Sequence, residues 1–235
     1  MLSAQIYQNS RKKVAEQLRD NSIYFVHSGD PAESSHDETY MFEPYRTFLY
    51  LTGLDVKNAT LLISKVNGTV GEVLFMHIPS EKEQRWDNVS FDREALQKST
   101  GIDRIVANEE WEDVVSRLMF SGVIQDCYVD IARWRMSYAY NSEQILARKL
   151  QKAYPFLTMH NAYPIVCELR TIKYPEEIEA HRKAVAITEA GVRNMLHHMK
   201  PGMYEYEIEA YYDFVLKSNG VRTPAFWTIA AAGLR

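Results

Sequence analysis

The sequence predicts an α/β protein with a mixed sheet over about residues 1–160, followed by a mainly helical region. Three observations support this fold class. Asn67-Gly68 separates two apolar runs, short β-prone runs alternate with helical patterns after residue 90, and longer helical patterns begin at Asn161. Alternating strands and helices are typical of parallel pairing, and a hairpin adds an antiparallel part.

The first elements follow from short local patterns. Residues 10–20 have apolar side chains at helical spacing, and we interpret the basic cluster at 11–13 as the solvated face of that helix. Residues 22–27 are rich in β-prone side chains and predict a strand. The turn-forming residues at 28–37 then predict a loop.

An Asn-Gly pair is a strong hairpin signal when apolar runs flank it. Here the runs are residues 59–66 and 72–76, and Asn67-Gly68 lies between them. We expect residues 69–71 to lengthen the connection.

Further elements are expected in regular alternation. In chain order they are a helix at 91–100, a strand at 104–106, a helix from an Asn108 cap to about 119, a strand at 125–129, a helix at 142–153 and a strand at 156–159.

The second region begins with two long helical patterns. Pro175 suits a helix start, and apolar residues at spacings of three and four continue to Met199. Residues 204–218 predict a second helix, and residues 223–232 predict a buried strand. Because one strand cannot cover two amphipathic helices, we expect 175–235 to be the first part of a larger domain.

Composition excludes several classes of function. The chain has 235 residues, with 27 Lys+Arg against 31 Asp+Glu and a net charge of -4. This balance does not favour nucleic acid or anionic membranes as partners. No apolar run approaches the ~18 residues of a membrane span, and the start lacks the order of a secretion signal, so we expect a cytoplasmic protein. Cys127 and Cys167 are expected to be buried small hydrophobic residues.

The residues alone indicate no complete active site. Common zinc, phosphate-loop, dinucleotide and serine-hydrolase motifs are absent from the sequence. We interpret the seven histidines as solvated. Glu205 and Glu209 share a helix face and could meet a metal, but a solvated face is the favoured interpretation. Trp134, between Arg133 and Arg135, is expected to pack in the core or its rim rather than to stack on bases.

Two groups of motifs carry a resemblance to a known family. The first comprises SHDETYMF at 35–42 and FLYLTGL at 48–54. The second comprises ELRTIK at 168–173, PEEI at 175–178 and PGMYEYE at 201–207. These motifs resemble the N-terminal domain and the start of the catalytic domain of the Xaa-Pro aminopeptidases (aminopeptidase P), which are pita-bread metallopeptidases.

The resemblance implies an aminopeptidase P N-terminal-like domain at 1–160, a linker helix at 161–173 and an incomplete α+β pita-bread domain at 174–235. Family members release an N-terminal residue that precedes proline, and they use two divalent metals, usually manganese, with a bridging hydroxide. The resemblance places the family's metal ligands and catalytic histidines downstream of this chain. We therefore expect no catalytic or metal residue here and no activity of the chain alone.

The resemblance also suggests two substrate-binding residues. Phe226 falls where the family has an aromatic wall near the metals, and Trp86 matches a tryptophan that some members donate to a neighbouring subunit. Simple packing is the alternative for both. Two departures are Tyr174 at a helix-cap position and Leu234, where the family usually has Asn.

The resemblance further implies proline-containing peptides as substrates of the full-length protein, and a homodimer or homotetramer as its assembly. Two other interpretations remain open. One is a hydrolase of the prolidase or creatinase type. The YLTG segment favours the aminopeptidase over this alternative. The other is a non-catalytic assembly module.

Overall fold

The computed structural model describes residues 2–36, 38–86, 91–226 and 228–231. The chain divides into two compact units, Met1–Ile172 and Lys173–Arg235. The first unit contains a six-stranded mixed sheet with helices, so the predicted α/β class is confirmed. None of the described helices is long and apolar enough to cross a bilayer.

The sheet of the first unit has the order β4-β3-β2-β1-β5-β6. Its strands are β1 (Ser22–His27), β2 (Thr60–Val66), β3 (Thr69–Met76), β4 (Ile105–Ala107), β5 (Asp126–Val129) and β6 (Thr158–Asn161). β2 is antiparallel to both of its neighbours, and the other pairings are parallel. Five strands therefore end at one edge of the sheet, which we call the carboxyl edge.

Helices cover both faces of this sheet. The helices of the first unit are α1 (Ala4–Gln17), α2 (Arg46–Thr52), α3 (Glu81–Trp86), α4 (Arg93–Thr100), α5 (Trp111–Phe120), α6 (Ser142–Ala153) and α7 (Tyr163–Leu169). Because strand side chains alternate between faces, Tyr24 and Val26 of β1 pack with α1, α2 and α7, whereas Ile23 and Phe25 pack with α5 and α6. The central strand β1 is thus buried on both faces.

The hairpin between β2 and β3 is tighter than the sequence predicts. Asn67 and Gly68 have φ values of 49° and 75°, and Val66 pairs directly with Thr69. Two consecutive positive φ values are typical of the type I′ turn that suits strand twist. Residues 69–71 therefore belong to β3, and the expectation of a longer connection is wrong.

The predicted cap at Asn108 is also wrong. Asn108–Glu110 form a short 3₁₀ helix, and α5 begins at Trp111. The Asn108 side chain instead donates a hydrogen bond to the carbonyl of Asn58 at 2.8 Å. The Asn108 side chain thus bonds to a residue 50 positions away in sequence instead of capping the helix. No local sequence pattern can reveal such a distant contact.

Arg11 contradicts the prediction that residues 11–13 form a solvated face. Its side chain is 0% exposed, whereas Lys12 and Lys13 are exposed. The Arg11 guanidinium donates to Glu72 Oε2 at 2.8 Å, to the carbonyl of Leu51 at 2.8 Å and to the carbonyl of Gly101 at 3.3 Å. Arg11 lies four residues after Tyr7 and three before Val14, so it shares their buried helix face.

The second unit contains α8 (Pro175–His198) and α9 (Glu205–Ser218), as the sequence predicts. Each helix begins with a backbone N–H that donates to a glutamate three residues later, Tyr174 to Glu177 at 2.8 Å and Tyr204 to Glu207 at 2.7 Å. The side chain of Tyr174 makes no cap bond to the helix. At each helix start, the glutamate therefore forms its part of a capping box, although no Ser or Thr occupies the cap position.

The strand predicted at 223–232 is absent from the described residues of this range, 223–226 and 228–231. A strand needs a neighbour to pair its backbone groups, and the described part of the second unit holds only helices, turns and irregular chain. The apolar stripe of α8 is likewise largely exposed. Much of the apolar surface of the two helices is therefore exposed in the described part of this unit.

Replacement of Arg11 tests its structural role. We expect Arg11→Met to lower the free energy of unfolding by about 3 kcal/mol, because it leaves Glu72 without its buried partner. Urea unfolding followed by circular dichroism measures this change. Lys12→Met is the matched control and should change stability by less than about 0.5 kcal/mol. Equal effects of the two substitutions would contradict the assignment.

Candidate functional site

The FLYLTGL motif forms α2 and its C-terminal cap. The hydroxyl of Thr52 donates to the carbonyl of Phe48 at 2.8 Å and accepts from the N–H of Leu54 at 3.2 Å. Gly53 ends the helix with φ 73°, and its N–H donates to the carbonyl of Leu49 at 2.8 Å. The motif therefore shapes a helix end rather than presenting reactive groups.

The Tyr7 side chain of α1 packs closely against Gly53. A Cβ atom at Gly53 would lie 2.2 Å from Cζ of Tyr7. The carbonyl of the neighbouring Leu51 accepts a hydrogen bond from Arg11 of the same helix α1. The motif thus carries the docking of α2 on α1.

The SHDETYMF motif lies in the loop that follows β1. Within this loop, Glu33 and Thr39 form an isolated bridge, and the N–H of Tyr40 donates to the carbonyl of Ala32 at 2.8 Å. Apart from this bridge, the described residues of the motif form no strand. Tyr40 and Met41 are exposed, and Asp37 lies outside the described residues.

Three segments that contain or lead to the residues discussed above start at the carboxyl edge, because β1, β3 and β5 all end there. The first is the motif loop. The second leads into α3, which ends at Trp86; the Trp86 side chain lies outside the described part of the chain, so its role stays a prediction. The third, residues 130–141, contains Trp134.

Trp134 is 85% exposed and Met136 is 94% exposed, so the expectation that Trp134 packs in the core or rim is wrong. The loop is held by its own backbone: Arg133 donates to the carbonyls of Arg135 at 3.0 Å and Met136 at 2.8 Å. Its guanidinium also lies 4.2 Å from the ring centre of Tyr140. This arrangement leaves the apolar side chains directed away from the core.

Two histidines of the first unit depart from the solvated interpretation. His160 contacts Asp126 and stacks on Tyr128 with ring centres 4.7 Å apart. His27 accepts a hydrogen bond at Nδ1 from the N–H of Gly29 at 2.9 Å, and burial lowers its pKa. Both side chains are half-buried and have structural partners.

The two cysteines are only partly as predicted. Cys127 is buried, and burial raises the pKa of its thiol to about 12, so it behaves as a small apolar side chain. Cys167 is half-buried rather than buried.

The second unit holds a cavity of about 900 Å³ between α8, α9 and residues 221–226 and 228–231. Apolar side chains form most of its wall, and the charged residues among the described ones that line it are Lys183, Glu205 and Glu209. Phe226 lies on this wall and is 77% exposed. Its predicted substrate role is compatible with this position but stays a prediction.

Metal binding requires several ligands that converge on one point. Over residues 2–36, 38–86, 91–226 and 228–231, no three His, Cys, Asp or Glu side chains are grouped so that they could hold a metal ion. Glu205 and Glu209 share the cavity wall without a third ligand among those residues. The described residues therefore do not fit a dinuclear metal centre.

Two known protein families match successive parts of the chain. The family described as "Aminopeptidase P, N-terminal domain" matches residues 7–124, which is half of the chain. The chain belongs to the aminopeptidase P family. "Metallopeptidase family M24" matches residues 179–235, in the second unit. The motif loop, α2 and the hairpin all lie within the first match.

Individual relatives agree with this assignment. The chain is 26% identical over 234 residues to the Xaa-Pro aminopeptidase of Escherichia coli, covering 99% of the chain and 53% of that protein. A Bacillus anthracis structure assigned to aminopeptidase P matches with a TM-score of 0.91 and 32% identity, over 96% of this chain and 54% of the other. The Xaa-Pro dipeptidase of Pyrococcus furiosus is 38% identical over 71 residues, 30% of this chain and 20% of that protein. The chain spans about half the length of the first two.

The sequence did not reveal two pairs of ionisable side chains in the first unit, each with one buried member. One is Arg11 with Glu72, and the other is Glu143 with Asp130 near the carboxyl edge. Helical spacing beside Tyr7 and Val14 could have indicated that Arg11 is buried. No comparable signal exists for Glu143, because a glutamate in the first turn of a helix is ordinarily solvated.

Two glycine substitutions test whether the FLYLTGL motif is a docking element. We expect Gly53→Ala to destabilise the chain by about 3 to 4 kcal/mol, because it adds a steric clash with Tyr7 to the strain of a positive φ. Gly68→Ala is the control: its φ is also positive, but a Cβ would meet nothing within 4 Å, so only about 1 to 2 kcal/mol should be lost. Urea unfolding compares the two, and similar losses would contradict a docking role.

Proposed function

We propose that the chain is the N-terminal portion of an Xaa-Pro aminopeptidase, whose full-length form releases an N-terminal residue that precedes proline. The observation that carries this proposal is the order of the two family matches, with the N-terminal domain at 7–124 and the metallopeptidase at 179–235. Similarity to the E. coli Xaa-Pro aminopeptidase along 99% of the chain supports it.

In this proposal residues 1–160 are the N-terminal domain, 161–173 the linker and 174–235 the start of the catalytic domain. The division of the chain after Ile172 supports the second boundary, and α7 falls within the proposed linker. The protein is proposed to act in the cytoplasm on proline-containing peptides. Phe226 and Trp86 are its candidate substrate-binding residues.

The metals of the proposed enzyme would be two divalent ions, with manganese as the candidate. When bound, such ions supply an activated water and polarise the scissile carbonyl. In this proposal the metal ligands lie outside the 235 residues, as the resemblance to the family implies. We therefore propose that the 235 residues alone do not hydrolyse peptides.

A peptidase assay tests this proposal. The purified chain with Mn²⁺ and Ala-Pro-Ala should release no alanine above the metal-free background, because it cannot hold the metals. The full-length protein should release alanine under the same conditions. Metal-dependent release by the 235-residue chain would contradict the proposed division of the site.

A prolidase-type enzyme is the alternative suggested by the similarity to the P. furiosus dipeptidase. The same assay distinguishes it from an aminopeptidase. The full-length protein should cleave Ala-Pro-Ala faster than the dipeptide Ala-Pro. A creatinase-type hydrolase would cleave neither peptide. The reverse preference would favour the dipeptidase.

A second candidate function is assembly, and the exposed loop at 130–141 favours it. Trp134, Met136, Tyr138 and Tyr140 are all exposed there, and Arg135 lies among them. Trp, Tyr, Met and Arg are enriched in protein interfaces. We propose that this loop takes part in a homodimer or homotetramer.

Sedimentation velocity tests the assembly role on the whole chain. We expect the wild type to associate, and Trp134→Ala with Met136→Ala to weaken association by at least about tenfold, because the pair removes the most exposed apolar area of the loop. Phe120→Ala is the control, since Phe120 is 94% exposed but lies at the end of α5. A wild-type monomer at high concentration would exclude this role.

A further inference from the structure

Two carboxyl groups are held near the ends of β1 and β5 in the first unit. Glu143, the second residue of α6, is 2% exposed, and its Oε1 accepts a hydrogen bond from the backbone N–H of His27 at 2.6 Å. Its other oxygen, Oε2, is buried and has no hydrogen-bond partner among the described residues. Asp130 follows β5, and its Oδ2 accepts from the hydroxyl of Thr47 at 3.3 Å.

The ionisable groups around Glu143 come from several elements. β1 contributes Tyr24, whose hydroxyl is also buried and without a partner in the described chain, and His27, whose ring is turned to Gly29 and Asp30. The loop after β5 contributes Asp130, and α7 contributes Cys167, which acts on Tyr24. Among the described residues, no cationic side chain acts on the carboxyl group of Glu143.

A buried carboxylate without a cation is costly, and a second acid nearby increases the cost. Burial raises the pKa of Glu143 well above its ordinary value, and the negative charge of Asp130 raises this pKa further. The hydrogen bond from the N–H of His27 lowers the pKa and so opposes both effects. Burial also raises the pKa of Asp130, although bonds from Thr47 and Ala132 oppose the change. The favourable state of this pair has a proton on Glu143.

These groups connect two loops of the carboxyl edge. Glu143 joins the start of α6 to the end of β1, and its neighbour Ser142 donates a hydrogen bond to Asp30 in the loop after β1. Asp130 joins the loop after β5 to α2 through Thr47. Repulsion between Glu143 and Asp130 would therefore act on both loops at once.

We propose that Glu143 carries a proton in the folded protein, and that the Glu143–Asp130 pair is a pH-sensitive latch between the loops after β1 and β5. The latch is closed while the pair bears at most one negative charge. It loosens when rising pH removes the proton from Glu143, because the buried Glu143 carboxylate and the half-buried Asp130 carboxylate then repel each other, with no cation among the described residues to offset the repulsion.

The direction of the pH effect follows from proton binding. Between the ordinary glutamate pKa of 4.5 and the raised pKa of the folded state, the folded protein holds a proton on Glu143 that the unfolded chain has lost. The stability contributed by this proton is full below pH 4.5 and is lost as pH rises. The folding equilibrium constant should fall by up to about tenfold per pH unit in that window.

Unfolding by urea at several pH values tests the latch in the full chain. Glu143→Gln keeps an oxygen that can accept from His27 but cannot ionise. From about pH 5 to about pH 9, the folding constant of the wild type relative to Glu143→Gln should fall by at least about tenfold. The matched control is Glu112→Gln, at the second residue of α5 and exposed, which should follow the wild type. A constant ratio between wild type and Glu143→Gln would overturn the proposal.

Two measurements keep the proposal testable if Glu143→Gln does not fold. The carboxyl carbon of Glu143 in the ¹³C-labelled wild type should titrate well above pH 4.5; titration at that ordinary value would overturn the proton assignment. Hydrogen exchange of residues 28–45 and 130–141, relative to the unfolded chain at the same pH, should accelerate through the same titration. Unchanged protection of both loops would overturn the latch.

Discussion

The buried guanidinium of Arg11 is the interaction on which the first unit depends. It joins α1 to β3 through Glu72, to the end of α2 through Leu51, and to the turn after α4 through Gly101. Because a guanidinium donates in a fixed planar geometry, the three acceptors can be satisfied together only when these elements are in place. The ion pair is costly to bury, so its effect is to specify one arrangement rather than to add much net stability.

The same constraint explains why a family motif contains no reactive group. FLYLTGL supplies the carbonyl that Arg11 binds and the glycine against which Tyr7 packs. Docking of α1 and α2 leaves the sheet between two helical layers, with five strands ending at one edge. The loops that contain Tyr40 and Trp134 and the Glu143–Asp130 pair all lie at that edge.

The fold was largely predictable where the information is local. The Asn-Gly hairpin, the helix at 142–153 and the two helices of the second unit follow from turn preference and periodicity. Predictions were wrong where contacts that the local sequence does not encode determine the conformation or exposure of a segment. Asn108 bonds to Asn58 instead of capping a helix. The segment at 223–232 lacks a neighbouring strand in the described unit, and Trp134 lies in a loop held by its own backbone carbonyls.

The sequence by itself determined the order of the elements, the α/β class and, through two groups of motifs, the family. Only the tertiary structure decided which ionisable side chains, such as Arg11 and Glu143, are buried. The partners of Arg11 lie 40 to 90 residues away, and the contact of Glu143 with His27 spans 116 residues. Periodicity reports which helix face a residue occupies, whereas burial of a charge depends on acceptors that chain folding brings from distant segments.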